Sequence, residues 1–195
     1  MSTPVLHVIA GPNGAGKSSF YRVVIAPVMN LPFVNADEIA QRLWPDDVEA
    51  HAYDAAEVAQ QTRLAHLENN DSFTTETVFS HESKLDLLVE AADRGYLTTL
   101  HIVMIPVELA VARVEIRVSQ GGHTVPVDKI RSRFARLWGL LSQGIEIAND
   151  AFVYDNSHAD TPFRKVATFR EGHLLEAPQW PAWTPQAIRS AGDSK

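Results

Sequence analysis

The sequence contains no cysteine, which excludes disulfide bonds, thiol nucleophiles and cysteine-ligated metal sites. This absence suits a reducing cytosol, and we expect a cytoplasmic protein. Long apolar runs are absent too, because Pro106 and Glu108 interrupt the best candidate for a membrane span, and residues 1–10 lack the basic start of a secretory signal. The sequence therefore predicts a soluble protein without a membrane partner.

The chain has fewer basic than acidic residues. The chain has 17 lysines and arginines against 24 acidic residues, a formal net charge of −7. Proteins that bind nucleic acid cluster basic residues against the phosphate backbone, so this balance argues against a nucleic-acid partner. The 195 residues, 45% hydrophobic and 21% charged, have the composition of one ordinary globular domain.

Five short apolar segments alternate with helix-like sequence, which favours a parallel sheet covered by helices on both faces. The predicted strands are Val5–Ala10, Pro32–Asn35, Ser72–Glu76, Leu97–Ile105 and Ala151–Asp155. The predicted helices are Lys17–Ala26, Tyr53–Leu67, Ser80–Asp93 with a serine cap, Val107–Val118 and one that begins near Val127.

The end of the chain has a different pattern. Residues 165–170 and 173–176 flank Glu171 and Gly172 and predict a short hairpin. Three prolines then prevent long regular structure, while Trp180 and Trp183 are expected to anchor the tail to the body. We therefore expect one domain over residues 1–176, with a lid at about 113–136, followed by a tail rich in proline and tryptophan over residues 177–195.

Residues 11–18 read Gly-Pro-Asn-Gly-Ala-Gly-Lys-Ser and match the P-loop pattern at every required position, with a predicted strand before and a helix after. Lys17 is expected to reach the β- and γ-phosphates of ATP, and the Ser18 hydroxyl to ligate Mg²⁺. The remaining residues expected around the phosphates are Gly11, Asn13, Gly14, Ala15, Gly16 and Ser19. The expected fold is an α/β P-loop NTPase three-layer sandwich with a five-stranded parallel sheet in the order 2-3-1-4-5.

The rest of the chain favours a kinase among P-loop proteins. The guanine-reading pattern N-K-x-D is missing, and no aspartate is followed three positions later by glycine, so a GTPase lacks its usual parts. Ala151–Asp155 has the form of a Mg²⁺-binding strand end of a motor ATPase, but it lies near the end of the domain. Two alternatives stay open: an ATP-binding switch module with a protein partner, and a polynucleotide kinase.

Two carboxylates follow predicted strands, where ligands bind in open α/β sheets. Asp37 is the candidate base that orients an acceptor hydroxyl, the alternative being the N-cap of the next helix. Glu76 and Thr77 are expected to bind the substrate. Alternatively, Glu76 holds a water molecule bound to Mg²⁺, or it is only a polar residue at the end of a strand.

A basic cluster accompanies the predicted lid: Arg113, Arg117, Lys129, Arg131, Arg133 and Arg136. Its glycine-containing loop, Ser119–Thr124, lies between two helices, as closure over ATP requires. Arg117 and Arg133 are expected to reach the phosphates, and a solvated helix face is the alternative for each arginine. His123 lies in the same loop.

These residues resemble the zeta toxin family of P-loop kinases, which contains toxins of bacterial toxin–antitoxin systems and stand-alone relatives. The resemblance runs from Val5 to Ser157. Its carriers are residues 11–18, Asn35-Ala36-Asp37, Thr75-Glu76-Thr77, residues 117–126, Arg133-Phe134 and Tyr154-Asp155-Asn156-Ser157.

The resemblance implies that ATP and Mg²⁺ are used to phosphorylate a hydroxyl of a nucleotide sugar such as UDP-N-acetylglucosamine. It also implies Asp37 as the base, Arg117 on the transferred phosphate, Asn156 near the nucleotide, and an antitoxin protein as a partner. Toxins of the family have a second phosphate-contacting arginine in the lid, where this chain reads Gly-Gly-His. The candidates to take the place of that arginine are Arg133 and His123.

Overall fold

The computed structural model describes residues 3–120 and 125–192, which form a seven-stranded sheet with helices on both faces. The strands are β1 Val5–Ala10, β2 Phe33–Val34, β3 Phe73–Thr77, β4 Leu97–Met104, β5 Asp150–Asp155, β6 Arg164–Arg170 and β7 His173–Leu174. The helices are α1 Lys17–Phe20, α2 Ala36–Leu43, α3 Ala52–Asn69, α4 Ser83–Asp93, α5 Val107–Ser119, α6 Val127–Ile147 and α7 Gln186–Arg189. After α1 the chain continues as a π-helix over Tyr21–Ile25.

Strands β1 to β5 are parallel and lie in the order β2-β3-β1-β4-β5, which confirms the predicted order. The five predicted parallel strands and the C-terminal hairpin are present, but the sheet has seven strands rather than five. Strand β6 pairs antiparallel with β5, and β7 with β6, so the hairpin continues the same sheet. Without the hairpin, the backbone groups of β5 would form an unpaired sheet edge.

Successive residues of the central strands serve opposite faces of the sheet. Leu6 and Val8 of β1 pack with apolar side chains of α3, α4 and α6, whereas Ile9 packs with those of α1 and α5. The same alternation holds in β4, where Leu100 and Val103 join different clusters. The result is the three-layer α/β/α sandwich that the sequence predicts.

Helix α4 begins at Ser83, so the prediction that Ser80 caps this helix is wrong. The chain turns sharply after β3: Phe79 has a φ of 63°, and its N–H donates to Thr77 Oγ1 over 3.2 Å. This turn delays the start of the helix and puts Glu82 at the N-cap position.

The predicted lid loop connects α5 to α6, and residues 121–124, His123 among them, lie outside the described residues. A two-pronged ion pair between Arg131 and Glu108, with both N–O distances at 2.8 Å, links the two helices. None of the helices in residues 3–120 and 125–192 combines the length and apolar content that a membrane crossing requires.

The tail lies against the body of the protein. Trp180 and Trp183 pack on the larger apolar cluster, which confirms the predicted anchor. Arg189 of α7 donates to the carbonyl oxygens of Pro181 and Ala182 over 2.9 and 2.6 Å, so the irregular backbone between the tryptophans is held in place.

Candidate active site

Residues 11–16 form the loop that connects β1 to α1 at the carboxyl edge of the sheet. Gly11 has a φ of +148°, and a Cβ there would lie 2.2 Å from the carbonyl oxygen of Val103. Gly16 has a φ of +87°, and a Cβ there would lie 2.8 Å from Asn156 Nδ2. Glycine is therefore needed where the loop leaves the strand and where it enters the helix, the arrangement that turns backbone N–H groups toward a phosphate.

The Lys17 side chain folds back over this loop. Its Nζ donates to the carbonyl oxygen of Pro12 over 3.1 Å, and the residue is only 7% exposed. In the same loop, Asn13 Oδ1 is buried and has no hydrogen-bond partner among the described residues. A buried acceptor of this kind calls for a donor from a bound molecule or water.

Glu76 joins three elements of the site. Its Oε2 accepts hydrogen bonds from Ser18 Oγ of α1 and from Asn35 Nδ2, both over 2.8 Å, and its Oε1 lies 3.7 Å from Lys17 Nζ. The Glu76 side chain is only 10% exposed, so these protein contacts replace most of the water around the carboxylate. The carboxylate is thus part of the P-loop environment.

Asn35 fixes the start of α2. Its Oδ1 accepts hydrogen bonds from the N–H groups of Asp37 and Glu38 over 2.8 and 3.4 Å. Asn35 is therefore the N-cap, and the alternative that Asp37 caps this helix is wrong. Because Asn35 also donates to Glu76, the cap holds the first turn of α2, with Asp37 in it, beside the P-loop.

Negative charge gathers at this edge of the sheet. Burial raises the pKa of the Glu38 carboxyl, the charges of Glu76 and Asp37 raise it further, and Arg22 opposes them. Glu38 is not among the residues predicted from the sequence. The two neighbouring carboxylates therefore favour a proton on Glu38.

Arg113 and Asn156 support the loop from the other side. Asn156 Nδ2 donates to the carbonyl oxygen of Ala15 over 2.8 Å, and Arg113 Nη2 donates to the carbonyl oxygen of Asn156 over 3.0 Å. Arg113 Nη1 lies 3.5 Å from the carbonyl oxygen of Gly14. The family resemblance implies Asn156 near the nucleotide, whereas Arg113 is expected only as part of the basic cluster of the lid. Its position one helical turn before Arg117 was the available signal.

Arg117 belongs to the same α5 face as Arg113, one turn closer to the lid loop. Arg133 lies on α6, and no hydrogen bond joins it to the P-loop in the part of the chain that the structure describes. It helps to line a cavity of about 180 Å³ formed by Tyr53, Lys129, Ser132, Arg133 and Arg136. The Tyr53 ring comes from α3 and is 82% exposed, so this cavity lies between the lid helix and the β2–β3 side of the protein.

The other predicted residues take supporting positions. Thr77 ends β3, and its hydroxyl accepts the Phe79 N–H described above. Ser19 is exposed on α1 beside Ser18. In residues 3–120 and 125–192, histidine and acidic side chains form no group of three that could hold a metal ion by themselves.

Several proteins are similar to this chain in sequence or in fold. An uncharacterized protein of Haemophilus influenzae is 27% identical over 128 residues, which cover 64% of this chain and 88% of that protein. The PezAT chromosomal toxin–antitoxin system of Streptococcus pneumoniae superposes with a TM-score of 0.64 and 13% identity, over 100% of this chain and 80% of that one. The AvrRxo1-ORF1:-ORF2 complex with ATP superposes with a TM-score of 0.67 and 15% identity. That match covers 92% of this chain, which spans only 65% of its counterpart.

The family assignment rests on the sequence match. The Zeta toxin family model matches residues 1–143, well over half of the chain. The matched region holds the P-loop, Asn35, Asp37, Glu76 and α5. The structural likenesses, at their low sequence identities, show the common P-loop fold. With this match and this fold, the chain belongs to the zeta toxin family.

Proposed function

We propose that the chain is an ATP-dependent kinase that transfers the γ-phosphate to a hydroxyl of a small molecule. The observation that carries the proposal is the Glu76 carboxylate, which touches Lys17 and Ser18 of the P-loop and, through Asn35, the helix that bears Asp37. One buried group thus ties the nucleotide half of the site to the half where an acceptor would bind.

The nucleotide half accounts for ATP. The loop glycines turn backbone N–H groups inward, and Lys17 supplies a positive charge, as phosphate binding requires. The ATP-bound AvrRxo1 structure, which shares the fold, supports the same ligand here.

The donor set also fits Mg²⁺. The Ser18 hydroxyl and the Glu76 carboxylate lie within hydrogen-bond distance of each other, and both are oxygen ligands of the kind that Mg²⁺ prefers. Ser18 would hold the ion directly, and Glu76 directly or through a water. A bound Mg²⁺ would neutralise charge on the β- and γ-phosphates.

Asp37 is the proposed base. It orients the acceptor hydroxyl and takes its proton as the hydroxyl oxygen bonds to the γ-phosphorus. The bond from that phosphorus to the β–γ bridging oxygen breaks, and ADP leaves. Lys17 and Arg117 offset the negative charge on the transferred phosphate, with Arg133 a further cation for the closed lid.

For the acceptor we propose a nucleotide sugar such as UDP-N-acetylglucosamine, in line with the family. Glu76 and Thr77, at the end of β3, are the proposed acceptor contacts together with Asp37. The likeness to PezAT, a toxin–antitoxin system, supports an antitoxin protein as a candidate partner.

The test is ADP release by the purified chain with Mg²⁺-ATP, alone and with a panel of nucleotide sugars and free sugars, with products followed by mass spectrometry. We expect one acceptor to stimulate ADP release strongly and to gain one phosphate. Lys17→Ala should lower that rate by about 10³-fold because the transferring phosphate loses its cation. Stimulation by oligonucleotides instead would indicate a polynucleotide kinase. ATP binding that no acceptor converts to transfer would overturn the kinase assignment in favour of an ATP-binding module.

A further inference from the structure

An arginine interrupts the buried stripe of α3. The helix turns four residues at helical spacing toward the sheet, namely Ala55, Ala59, Arg63 and Leu67. Arg63 is only 6% exposed, although arginine is rarely buried without a partner. Its position thus needs an explanation other than packing.

Arg63 has little to compensate its charge. Nη1 donates to Thr75 Oγ1 over a long 3.4 Å, and that hydroxyl itself donates to the carbonyl oxygen of Val34 over 2.9 Å. A guanidinium group carries five N–H donors. Across residues 3–120 and 125–192, no carboxylate forms an ion pair with Arg63. Within the described residues, the guanidinium group thus has one long hydrogen bond and no carboxylate partner.

A second cation lies close to it. Lys84 is half-buried in the first turn of α4, and its Nζ donates to Ser83 Oγ over 3.3 Å. Burial, helped by the positive charge of Arg63, lowers the pKa of Lys84 to about 8. Burial also lowers the pKa of Arg63, to about 10. Two like charges that share a desolvated region destabilise the fold unless an anion joins them.

Arg63 and Lys84 lie on the side of the candidate site where the proposed acceptor would bind, which we call the acceptor side. Helix α3 ends at Asn69, just before β3 starts, so it runs from the carboxyl edge of the sheet to the amino edge. Helical side chains lean toward the N-terminus of their helix, which directs Arg63 toward the carboxyl edge, past the small Ala59. Thr75 and Glu76 face opposite sides of the sheet, but α2, which bears Asp37, packs with α3 and α4 in the same apolar cluster, and Lys84 follows the turn after β3.

We infer that Arg63 and Lys84 form an anion-binding subsite for the acceptor of the proposed kinase reaction. The acceptor then carries a carboxylate or a phosphate ester in addition to the hydroxyl that Asp37 orients. A guanidinium and an ammonium group are the natural pair for such an anion, because both form charge-assisted hydrogen bonds. This inference rests on the proposed function for the identity of the ligand as acceptor, but the subsite itself can be tested without catalysis.

The first test measures anion binding alone. In a Lys17→Ala background, which removes the P-loop cation, inorganic phosphate and acetate are added at constant ionic strength and the melting temperature is followed. We expect phosphate, acetate or both to raise it, and Arg63→Met to remove more than about half of the rise. Arg63→Met should itself raise the melting temperature without added anion, because a desolvated charge is gone. Arg94→Met, which removes an exposed arginine at the far end of α4, is the matched control and should leave the rise intact.

Lys84→Met provides a second variant in case Arg63→Met folds poorly, and the same loss of response is expected. A response that survives both substitutions at full size, or no response in the Lys17→Ala background, would overturn the subsite. The relative effects of phosphate and acetate distinguish a phosphate ester from a carboxylate.

The second test uses the acceptor found by the kinase assay. Arg63→Met should raise KM for an anionic acceptor by about tenfold or more while KM for ATP changes less than about twofold. Equal effects on both KM values would contradict an acceptor subsite. If no acceptor supports transfer but the phosphate response is present and sensitive to Arg63, the kinase proposal fails and the anion site stands.

Discussion

The two sides of the candidate site differ in the partners that their buried cationic side chains have. On the nucleotide side, Lys17 donates to a loop carbonyl oxygen and lies near Glu76, and Arg113 donates to backbone carbonyl oxygens. On the acceptor side, Arg63 and Lys84 donate to hydroxyl groups, and within the described residues neither pairs with a carboxylate. In the proposed reaction, the cations on the nucleotide side would therefore have protein partners before ATP binds, whereas those on the acceptor side would gain an anionic partner only with their ligand.

This difference has an energetic consequence. Contacts such as those of Arg113 stabilise the loop in the absence of any ligand. Buried cations without an anion destabilise the folded state, and such strain is typical of positions kept for function rather than for stability. Variants on the two sides should thus move nucleotide affinity, transfer rate and stability independently of one another.

The largest expected effect separates transfer from nucleotide binding. Asp37→Asn should lower phosphate transfer by about 10³-fold, because the acceptor hydroxyl loses its base, while the Kd for ATP changes less than about threefold. Transfer assays and calorimetric titration with ATP measure the two quantities. Asp46→Asn, at an exposed position after α2, is the matched control and should leave both unchanged. Normal turnover in Asp37→Asn would remove Asp37 from the mechanism.

The order of the five parallel strands could be predicted, because apolar segments alternate with helical ones and the P-loop pattern fixes β1. The extension of the sheet by β6 and β7 could not be predicted. The antiparallel pairing of β6 with β5 depends on which edge the hairpin reaches, and nothing in residues 164–174 specifies that edge. The prediction that Ser80 caps α4 is wrong for a similar reason, since the positive φ of Phe79 is set by the tertiary turn after β3.

The site could be predicted only where a motif carries it. The P-loop residues and the carboxylates after β2 and β3 follow from local patterns, although their roles stay predictions. Arg63 could not be found this way, because an arginine at one helical position reads as an exposed charge until burial is known. Asn35 belongs to a recognisable sequence motif, but its double contact with Glu76 and the α2 backbone depends on the tertiary structure.

The nucleotide side also contains a buried titratable pair. His7 Nδ1 and His101 Nε2 lie 3.1 Å apart on neighbouring strands, under the α1 side of the sheet. Burial lowers the pKa of both imidazoles, and the charge of His7 contributes to lowering that of His101 to about 3. Both histidines are therefore neutral in the folded protein at pH 7, in contrast to the charged pair on the acceptor side.

This pair should weaken the fold in acid. An unfolded histidine titrates near pH 6.5, so below that pH the unfolded chain binds more protons and the free energy of unfolding falls. For His101 alone the loss between pH 7 and pH 5 is about 2 kcal/mol. His101→Phe, which suits neighbouring Phe20 and Phe152, should reduce this pH dependence in urea unfolding, whereas His158→Phe at an exposed position should not. An unchanged pH dependence in His101→Phe would show that the pair does not titrate as a buried one.

The smallest expected effect is on the free energy of unfolding at alkaline pH, and it tests the charge of Lys84 directly. The folded pKa of Lys84 is about 8, whereas an unfolded lysine titrates near 10.4. Between these values the unfolded chain binds more protons, so the free energy of unfolding should rise with pH, by about 1 kcal/mol from pH 7.5 to pH 9.5 after allowance for the partial exposure of Lys84. Lys84→Met should abolish the rise, and Lys165→Met, an exposed lysine on β6, should retain it. Measurements stay below pH 9.5 because unfolded tyrosines ionise near pH 10 and lower the stability of a fold that keeps Tyr154 protonated. If Lys84→Met keeps the rise, the Lys84 charge is well solvated and the contrast between the two sides of the site disappears.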